Sequence, residues 1–476
     1  MVESIPDEIL AIYNKFQDSK FEVYFVGGCV RNMLMKKPVK DWDFATNATP
    51  KQILKVFPDG FYDNKFGTVG LPVEALAKAG VPVGKQIVEI TTFRTEGKYT
   101  DRRRPDIVEW GKTIEEDLSR RDFTINAIAL KLNRHSGERS DSRIDSGQAR
   151  MTEEIELIDP YKGREDIESK IIRAVGDPQK RFKEDALRLL RAIRIATEFS
   201  FIIEEKTWNE LVKDAPLIKE ISGERIRQEL LRIIASNNAY DGVLLLKNSN
   251  LLENIMPELL EGVGISQVRP GRHHTTDVFT HNILSLKFCP SKDPIVRFAT
   301  LIHDVGKPKV ASMDEKGLVI FHNHEITGAR IGSVICDRLK FPKKEKDKIV
   351  NLIRWHMFTV DEKATDAAVR RFIRRVGVEN VKDMIDLRIG DRLGSGTQTA
   401  ESWRLKLFKD RIEEQLKPAP FSINDLAIDG NDVMKELNIK PGPKIGEILQ
   451  KLFLEVDEDL SKNTKEYLLK RVKELA

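Results

Sequence analysis

The spacing of hydrophobic residues changes once along this 476-residue chain, near Asp166. Before that point, short runs rich in β-branched and aromatic residues alternate with turns, as in FEVYFVGG (21–28) and KQIVEITTF (85–93). After it, apolar residues recur with the 3.6-residue period of helices, as in ERIRQELLRIIA (224–235). The sequence therefore predicts an α+β chain, with a small mixed β-sheet followed by a long all-α part.

Turn-forming and polar clusters indicate where the chain divides. Glycine and proline gather at 262–272, 417–420 and 441–446. Two stretches, 71–86 and 134–154, are predicted to be insertions, the second of them exposed. Four segments are predicted: a mixed-sheet head at 1–156, a helical neck at 157–260, a third segment at 261–400 and a helical tail at 401–476.

Charge is distributed unevenly along the chain. The 79 basic and 75 acidic residues leave a net charge of only +4, which excludes a strongly basic nucleic-acid binder as judged by composition. Residues 170–194, however, carry eight Lys or Arg against three Asp or Glu, a local charge of +5. The near-neutral total therefore conceals a basic face, which is typical of proteins that bind phosphates.

Composition also limits the compartment. Hydrophobic residues make up 40% of the chain, and no apolar run approaches the ~20 residues of a membrane-spanning helix. The acidic start, MVESIPDEIL, lacks the basic region of a secretory signal. The three cysteines, Cys29, Cys289 and Cys336, are far apart, so no disulfide framework is expected. We expect a cytoplasmic protein with no membrane contact and no protein partner.

A glycine turn and two aspartates form the first candidate site. Gly27 and Gly28 follow a predicted strand, where glycine lets the backbone approach a phosphate while Arg31 adds a guanidinium donor. If Asp41-Trp-Asp43 is a strand, its two-residue period places both carboxylates on one face, where they could hold two Mg²⁺ ions. A lone DxD is more often a solvated strand start, but this combination favours phosphoryl chemistry.

Residues 26–46, VGGCVRNMLMKKPVKDWDFAT, resemble motif A of the tRNA nucleotidyltransferase and bacterial poly(A) polymerase family, within the polymerase β superfamily. The resemblance implies that Asp41 and Asp43 are the catalytic Mg²⁺ ligands and that the glycines and Arg31 hold the nucleotide. The family pattern has aspartate after this arginine, whereas this chain has Asn32. We do not expect that difference to alter metal binding.

The run EEDLSRRDFTINAIAL (115–130) supplies a second constellation. Arg121 can pair bidentately with phosphate, and Asp122 can accept a hydrogen bond from a ribose hydroxyl. An ordinary surface ion pair is the alternative. RRDFTINA is similar to motif B of the same family, which implies that Asp122 selects ribose over deoxyribose and that Arg121 and Asn126 belong to the nucleotide site.

The segment DPQKRFKEDALRLLRAIR (177–194) places Asp185, Arg188 and Arg191 on one face of a predicted helix. Ionised Asp only accepts hydrogen bonds and Arg only donates them. Cytosine and adenine both offer an amino donor beside a ring-nitrogen acceptor, so one Asp–Arg pair could accept C and A and reject G and U. An intrahelical salt bridge is the alternative. EDALR matches the family's EDxxR motif, which implies that Asp185 and Arg188 read the base, with Arg191 and Arg194 in the same nucleotide site.

The stretch TTFRTEGKYTDRRRPDIVEW (91–110) resembles the flexible loop of family members that complete the terminal A. CC-adding relatives lack this loop, so its presence implies addition of the whole CCA or of A. Its arginines, Arg102, Arg103 and Arg104, could equally be a solvated run. Glu89, on the preceding strand, is a candidate for a third acidic group near the metals.

Histidines and aspartates form an ordered series in the third segment: His281, His303, Asp304, His324, His356 and Asp391. This series fits the HD phosphohydrolase superfamily, and LIHDVGKP (301–308) is its most specific part. Such ligands on helices suit a divalent transition metal that polarises water against a phosphate ester, and Lys307 could neutralise a phosphate oxygen. A lone histidine is more often a satisfied core or surface residue, but the whole series favours a metal site. The resemblance implies phosphatase or 2′,3′-cyclic phosphodiesterase activity for some chains of this kind.

Together the resemblances imply the bacterial, class II type of CCA-adding activity with an HD domain. Such a chain adds C, C and A to tRNA 3′ ends from CTP and ATP without a nucleic-acid template, and pyrophosphate leaves. The segment 428–452 resembles the tail of the same family, which holds the outer part of a tRNA. Three alternatives remain: an A-adding enzyme or poly(A) polymerase with the same head, an HD phosphohydrolase whose head only binds RNA, and a pure RNA-binding module.

Overall fold

The computed structural model describes residues 5–63, 68–72, 87–95, 109–133, 154–267, 276–358, 364–416 and 422–475. The chain separates into two compact units, Met1–Ile255 and Met256–Ala476. None of the helices within these ranges is long and apolar enough to cross a lipid bilayer.

A seven-stranded mixed sheet forms the first part of the first unit, with the strand order β3-β4-β5-β2-β1-β8-β9. Its strands are β1 Val23–Val26, β2 Asp43–Thr46, β3 Phe61–Asp63, β4 Thr68–Pro72, β5 Ile87–Thr92, β8 Ala129–Asn133 and β9 Glu154–Ile158. Two further short strands, β6 Arg94–Thr95 and β7 Glu109–Trp110, pair with each other. Within the seven-stranded sheet β2 and β5 run parallel, while the other neighbouring pairs are antiparallel.

Aromatic packing fixes the centre of this sheet. The Phe25 ring stacks on Tyr13 at 5.2 Å between centroids and contacts Phe44 at 4.7 Å. Trp42, just before β2, packs edge-on against Phe25. Because Phe25 of β1 is opposite Phe44 of the antiparallel β2, the end of β1 lies beside the start of β2. The glycine turn after β1 is thereby brought next to Asp43.

Helices surround the sheet and continue beyond it. Those that accompany the sheet are α1 Asp7–Asp18, α2 Gly28–Leu34, α3 Pro50–Val56 and α4 Ile114–Ser119. Those that follow it are α5 Gly163–Glu168, α6 Pro178–Glu184, α7 Leu187–Phe199, α8 Glu205–Asp214, α9 Gly223–Ala235, α10 Ala239–Asn248 and α11 Leu251–Ile255. A two-stranded parallel pair, β10 Ile171–Ile172 with β11 Ile202–Ile203, lies among them.

The predicted single helix through Asp185 is wrong. Asp185 ends α6 in an extended conformation (φ −145°), and α7 begins at Leu187. The Asp185 carboxylate accepts a hydrogen bond from the backbone N–H of Leu187 at 3.0 Å. A short acidic side chain that bonds to nearby backbone in this way competes with helix continuation. Asp185 and Arg188 are therefore on opposite sides of a helix break and do not share a helical face.

The second unit is almost entirely helical. Its helices are α12 Pro257–Leu260, α13 Val278–Phe288, α14 Pro294–Leu301, α15 Lys307–Val310, α16 His324–Arg338, α17 Lys343–Trp355, α18 Asp366–Val376, α19 Val381–Gly394, α20 Trp403–Gln415, α21 Gly430–Leu437, α22 Pro443–Glu458 and α23 Lys465–Leu475. A two-stranded ribbon, β12 Ser312–Met313 with β13 Val319–Ile320, interrupts them. Asp314 closes its turn by accepting from the backbone N–H groups of Lys316 and Leu318.

The predicted α+β class, with a small mixed sheet followed by helices, is confirmed. The two short strand pairs are the departures from an all-α remainder. The four-segment division remains a prediction, and β9 crosses its first boundary at residue 156. Most of both predicted insertions, and the arginines at 102–104, lie outside the described residues.

Candidate active site

A cavity of about 680 Å³ lies in the first unit, beside the end of β1. All twelve residues predicted for the nucleotide and Mg²⁺ site line it, from Gly27 to Arg194. Ten basic and five acidic side chains line this cavity, and the excess of positive charge suits a polyphosphate ligand.

Gly27 permits a close approach at the turn into α2. Its φ of +73° lies in the region that favours glycine, and a Cβ there would be 2.8 Å from Arg121 Nη1 and 3.5 Å from Asp43 Oδ2. The absence of a side chain therefore leaves backbone, guanidinium and carboxylate around one small space.

Three carboxylates meet at the start of β2. Asp43 is the first residue of β2 and pairs with Glu89 of the parallel β5, while Asp41 precedes the strand. Trp42 is buried between the two aspartates, which both line the cavity. The predicted alternation thus holds, although the strand itself starts at Asp43 and not at Asp41.

The charge balance around Asp43 fits a bound cation. Burial, Glu89 and Asp41 raise the pKa of Asp43 to about 6, against a lowering by Arg121. A carboxylate that its neighbours disfavour in this way gains from a divalent ion, which offsets both the burial and the repulsion. Asp41, Asp43 and Glu89 are the residues that could hold it.

Asp117 of α4 accepts hydrogen bonds from both Arg120 and Arg121, the two arginines of the run at 115–130. It is fully buried and accepts from Arg120 Nε at 3.0 Å and from Arg121 Nη2 at 3.0 Å. Although burial acts in the opposite direction, the two guanidinium groups lower the pKa of Asp117 to about 2. Asp117 was not predicted from the sequence, although its spacing of three and four residues from these arginines is that of helical neighbours.

Asp122 is the centre of a hydrogen-bonded chain. Its Oδ1 accepts from Asn126 Nδ2 at 2.9 Å and from the backbone N–H of Phe123 at 2.8 Å, and its Oδ2 accepts from Arg191 Nε at 2.7 Å and Nη2 at 2.6 Å. Burial alone would raise the pKa of Asp122, but Arg191, Asn126 and Arg188 bring it well below its usual range. These four bonds use all the acceptor positions of the carboxylate. A ribose hydroxyl could bond to Asp122 only by displacing one of them.

Arg31 is buried at the other end of this series of hydrogen bonds. Its Nη1 donates to Asn126 Oδ1 at 2.6 Å, and its guanidinium lies 4.6 Å from the centre of the Phe199 ring. Asn32 Oδ1 accepts from Arg31 at 3.0 Å while its Nδ2 donates to the Pro38 carbonyl at 3.3 Å. An ionised aspartate could not make that second bond, so Asn32 ties α2 to the loop before Asp41.

Asp185 and Arg188 both line the cavity, but each is paired with another residue. Arg225 of α9 donates to Asp185 at 2.8 and 3.3 Å. Arg188 Nη1 donates to Glu184 at 2.7 Å, and its Nη2 donates to the Arg120 carbonyl at 2.8 Å. The intrahelical salt bridge between Asp185 and Arg188 is therefore not formed. Arg225, 40 residues away on another helix, had no signal in the sequence.

Arg194 is 4% exposed and donates to Glu229 of α9 and, at 2.9 Å, to Glu198. The pairing with Glu229 holds α7 to α9, whereas Glu198 belongs to α7 itself, so Arg194 supports the wall of the cavity as well as contributing charge.

The second candidate site lies in the second unit, where all six residues of the predicted histidine-aspartate series come together. His281 Nε2 is 3.2 Å from His303 Nε2, 3.3 Å from Asp304 Oδ2 and 3.2 Å from Asp391 Oδ1. His324 and His356 approach the other oxygen of Asp304, at 3.3 and 3.5 Å. Two groups of three potential ligands, both containing His303, have ligand atoms within 4.8 Å of one another. We refer to these six residues as the histidine cluster.

Hydrogen bonding fixes which ring nitrogens can bind a metal. The Nδ1 atoms of His303, His324 and His356 lie 2.7 to 2.8 Å from backbone carbonyl oxygens. A carbonyl only accepts, so each Nδ1 carries the proton and, in a neutral ring, each Nε2 presents a lone pair. Asp304 Oδ1 is buried and accepts no hydrogen bond from the described residues.

The electrostatics of the histidine cluster also favour a cation. Burial alone would lower the pKa of His303, but the carboxylates of Asp304 and Asp391 raise it to about 10. A proton on His303 thus offsets negative charge that a divalent metal would offset better. Lys307 lies with its Nζ 2.5 Å from Asp304 Oδ2, and it also donates to Gln267. The expected phosphate contact of Lys307 therefore depends on its remaining N–H.

Three family models match successive parts of this chain. Residues 23–173 match the family model "Poly A polymerase head domain", 200–262 match "Probable RNA and SrmB- binding site of polymerase A", and 312–472 match "tRNA nucleotidyltransferase domain 2 putative". A CCA-adding enzyme of Ligilactobacillus salivarius is 30% identical over 488 residues, covering 100% of this chain and 98% of that protein. An A-adding tRNA nucleotidyltransferase of Deinococcus radiodurans is 34% identical, but the match covers 73% of this chain and 76% of that protein.

The fold agrees as well. The crystal structure of the Bacillus stearothermophilus CCA-adding enzyme in complex with CTP matches 98% of this chain and 96% of its own, with a TM-score of 0.68 at 24% identity. Because the similarity to the Ligilactobacillus protein reaches 30% identity and covers 100% of this chain and 98% of that protein, the chain belongs to the CCA-adding family of tRNA nucleotidyltransferases.

Proposed function

We propose that this protein adds C, C and A to the 3′ ends of tRNA from CTP and ATP, and that the cavity of the first unit is the site of that reaction. The observation that carries the proposal is the convergence of twelve residues from three separate motifs on one positively charged cavity. The match to a CCA-adding relative over the full length supports the CCA product, whereas the A-adding relative matches a shorter part.

The base-reading pair has the hydrogen-bonding capacity that C and A require. Asp185 accepts three hydrogen bonds, from Leu187 and Arg225, which leaves one of its roughly four acceptor positions for an amino group. Arg188 uses three of its five N–H groups, on Arg181, Glu184 and Arg120, which leaves two for a ring nitrogen. Arg225 and Glu184 thus hold the pair in place before a nucleotide binds.

The other end of the cavity suits a triphosphate and the attacking strand. Arg31 and Arg121, beside the Gly27 turn, would bind phosphate oxygens. Asp41 and Asp43, with Glu89 adjacent, would hold Mg²⁺, which supplies activation of the 3′-hydroxyl and neutralises the leaving pyrophosphate. Asn126 and Arg191 would keep Asp122 and Arg31 in position. The tail segment 428–452 would hold the outer part of the tRNA.

The product can be read directly from nucleotide addition. With a tRNA transcript that lacks CCA, we expect CTP alone to add two residues, ATP alone to add none, and both together to add three. The double variant Asp41→Asn with Asp43→Asn should lower the rate by about a thousandfold or more, because metal activation contributes several kcal/mol. Denaturing gels measure both results.

Asp59→Asn, a change at an exposed aspartate of the same unit, is the matched control and should retain the wild-type rate. Addition of A without prior C, or repeated addition of A, would contradict the proposal and would indicate an A-adding enzyme or a poly(A) polymerase instead.

Metal binding at Asp43 should depend on pH. Because the pKa of this carboxyl is raised to about 6, a proton competes with the metal below that pH and not above it. We expect the affinity for Mn²⁺, measured by electron paramagnetic resonance as a probe of the Mg²⁺ site, to fall about tenfold per pH unit below 6 and to be level above 7.

The raised pKa of Asp43 has the opposite effect on folding stability: the stability of the metal-free protein falls with rising pH, whereas the metal affinity rises. A carboxyl whose folded pKa lies above its unfolded value destabilises the metal-free fold as pH rises from about 4 to 6. Asp43→Asn should therefore abolish the pH-dependent Mn²⁺ binding and raise the melting temperature of the metal-free protein at pH 7. A Mn²⁺ affinity that stays constant between pH 5 and 8 would contradict this account of Asp43.

We also propose that the histidine cluster binds a divalent transition metal and hydrolyses a phosphate ester. The specific observation in its favour is that protonated Nδ1 atoms direct the Nε2 atoms toward Asp304, whose Oδ1 accepts no hydrogen bond from the part of the chain that the structure describes. At such ligands a metal supplies polarisation of water against the ester. This phosphohydrolase activity would be a second activity of the protein, in addition to nucleotide addition.

The two activities should separate by mutation. Asp304→Ala should remove the bound transition metal, measured by mass spectrometry of the purified protein, and any hydrolysis of p-nitrophenyl phosphate, while CCA addition continues. The Asp41→Asn, Asp43→Asn variant should do the reverse. His322→Ala, at an exposed histidine two residues from His324, is the control for His324→Ala and should leave the metal content unchanged. Wild-type protein without bound metal after supplementation with Mn²⁺, Co²⁺ or Ni²⁺ would refute the second activity.

A further inference from the structure

Two adjoining cavities lie beside the histidine cluster in the second unit. Their volumes are about 790 and 560 Å³, and they share Met357 and Phe358, which directly follow His356. Six arginines line them: Arg354, Arg371, Arg375, Arg388, Arg392 and Arg404. We call this combined surface the arginine groove.

The arginine groove is electropositive and only partly neutralised. Glu325 and Glu401 are the acidic residues among the described residues that line it, and Glu401 is paired with Lys409 at 2.8 Å. Arg375, Arg392 and Arg404 form no ion pair with a carboxylate of the described residues. Guanidinium groups left without acidic partners on a concave surface are suited to phosphate.

Aromatic rings alternate with these guanidinium groups. Trp403 is 59% exposed, and the Arg404 guanidinium lies 5.3 Å from its ring centre. Trp355 lies between Arg354, at 4.3 Å, and Arg375, at 5.1 Å. Exposed aromatic faces beside arginine side chains are surfaces on which proteins stack unpaired bases.

A direct chain of contacts joins the arginine groove to the histidine cluster. Arg388, which lines the groove, donates to Asp391 Oδ2 at 3.0 Å, and Asp391 Oδ1 is 3.2 Å from His281 Nε2. Asp391 is the most exposed member of the cluster, at 13%, whereas the others are between 0 and 7% exposed. The cluster therefore reaches solvent on the side of Arg388.

We propose that the arginine groove binds an unpaired nucleotide, with its base stacked on Trp403 and its phosphate held by Arg392 and Arg404. The ligand is either a free mononucleotide or the unpaired end of an RNA strand, since both present the same base and phosphate. The binding itself is independent of any reaction, but the role of the groove as the substrate site of the cluster depends on the proposed hydrolase function.

Binding is measured by quenching of tryptophan fluorescence in the full-length protein, in EDTA, so that no hydrolysis contributes. AMP, ribose 5-phosphate and a five-nucleotide oligoadenylate with a 3′-phosphate are the probes. The quenching that disappears in Trp403→Phe is assigned to Trp403. This difference separates ligand binding in the arginine groove from nucleotide binding in the first unit.

A displacement assay with a fluorescent oligoadenylate then compares affinities. We expect Trp403→Ala to weaken AMP and oligoadenylate binding about tenfold or more, Trp403→Phe to stay within about threefold, and ribose 5-phosphate to be unaffected by either change. The double variant Arg392→Ala with Arg404→Ala should weaken all three probes. Arg330→Ala, at an exposed arginine outside the groove, should change none.

Similar affinities for AMP and the oligonucleotide would identify a mononucleotide site, and an oligonucleotide preference of tenfold or more would identify an RNA end. Equal binding by wild type, Trp403→Ala and the arginine double variant would overturn the proposal. Failure of the hydrolase function would show instead as absent metal-dependent hydrolysis with nucleotide binding intact, so the two failures are distinguishable.

Discussion

The ion pair between Asp122 and Arg191 is the interaction on which the rest of the nucleotide cavity depends. Asp122 belongs to the segment that leads into the sheet strand β8, and Arg191 is in the middle of α7. Through Asn126 the same carboxylate is connected to Arg31 of α2. This ion pair thereby connects the phosphate end of the cavity to α7, the helix that carries Arg188 at the base end.

The buried carboxylates of the two candidate sites are of two kinds. Asp117 and Asp122 are supplied with arginine partners, and their pKa values are lowered accordingly. Asp43 is buried among other carboxylates, so its pKa is raised, and within the described ranges Asp304 retains an oxygen without a hydrogen bond. Buried charge is costly unless it is paired. The first kind of carboxylate is therefore neutralised within the chain, and the second kind has room for a cation that the chain itself does not provide.

The sequence predicted most of what local spacing determines. The glycine turn, the DxD pair and the histidine-aspartate series were identified because their chemistry is contained in short segments or in an ordered series. Strands β3 and β9 were not predicted, since each is short. The break at Asp185 was missed because helical periodicity continues through it, and only the side-chain bond to Leu187 reveals the interruption. Arg225 could not be predicted, since its contact with Asp185 arises from the packing of α9 beside the break.

Above all, we propose that Asp185 and Arg188, held by Arg225 and Glu184, form a preset template that accepts C and A. This proposal is tested most directly by calorimetric binding of CTP, ATP, UTP and GTP to the wild type and to Arg188→Ala, in the presence of Ca²⁺ to prevent reaction. We expect CTP and ATP to bind at least about tenfold more tightly than UTP and GTP, because a wrong base leaves buried polar groups unpaired, and we expect Arg188→Ala to remove this preference. Equal affinities for all four nucleotides in the wild type, or an unchanged preference in the variant, would contradict it.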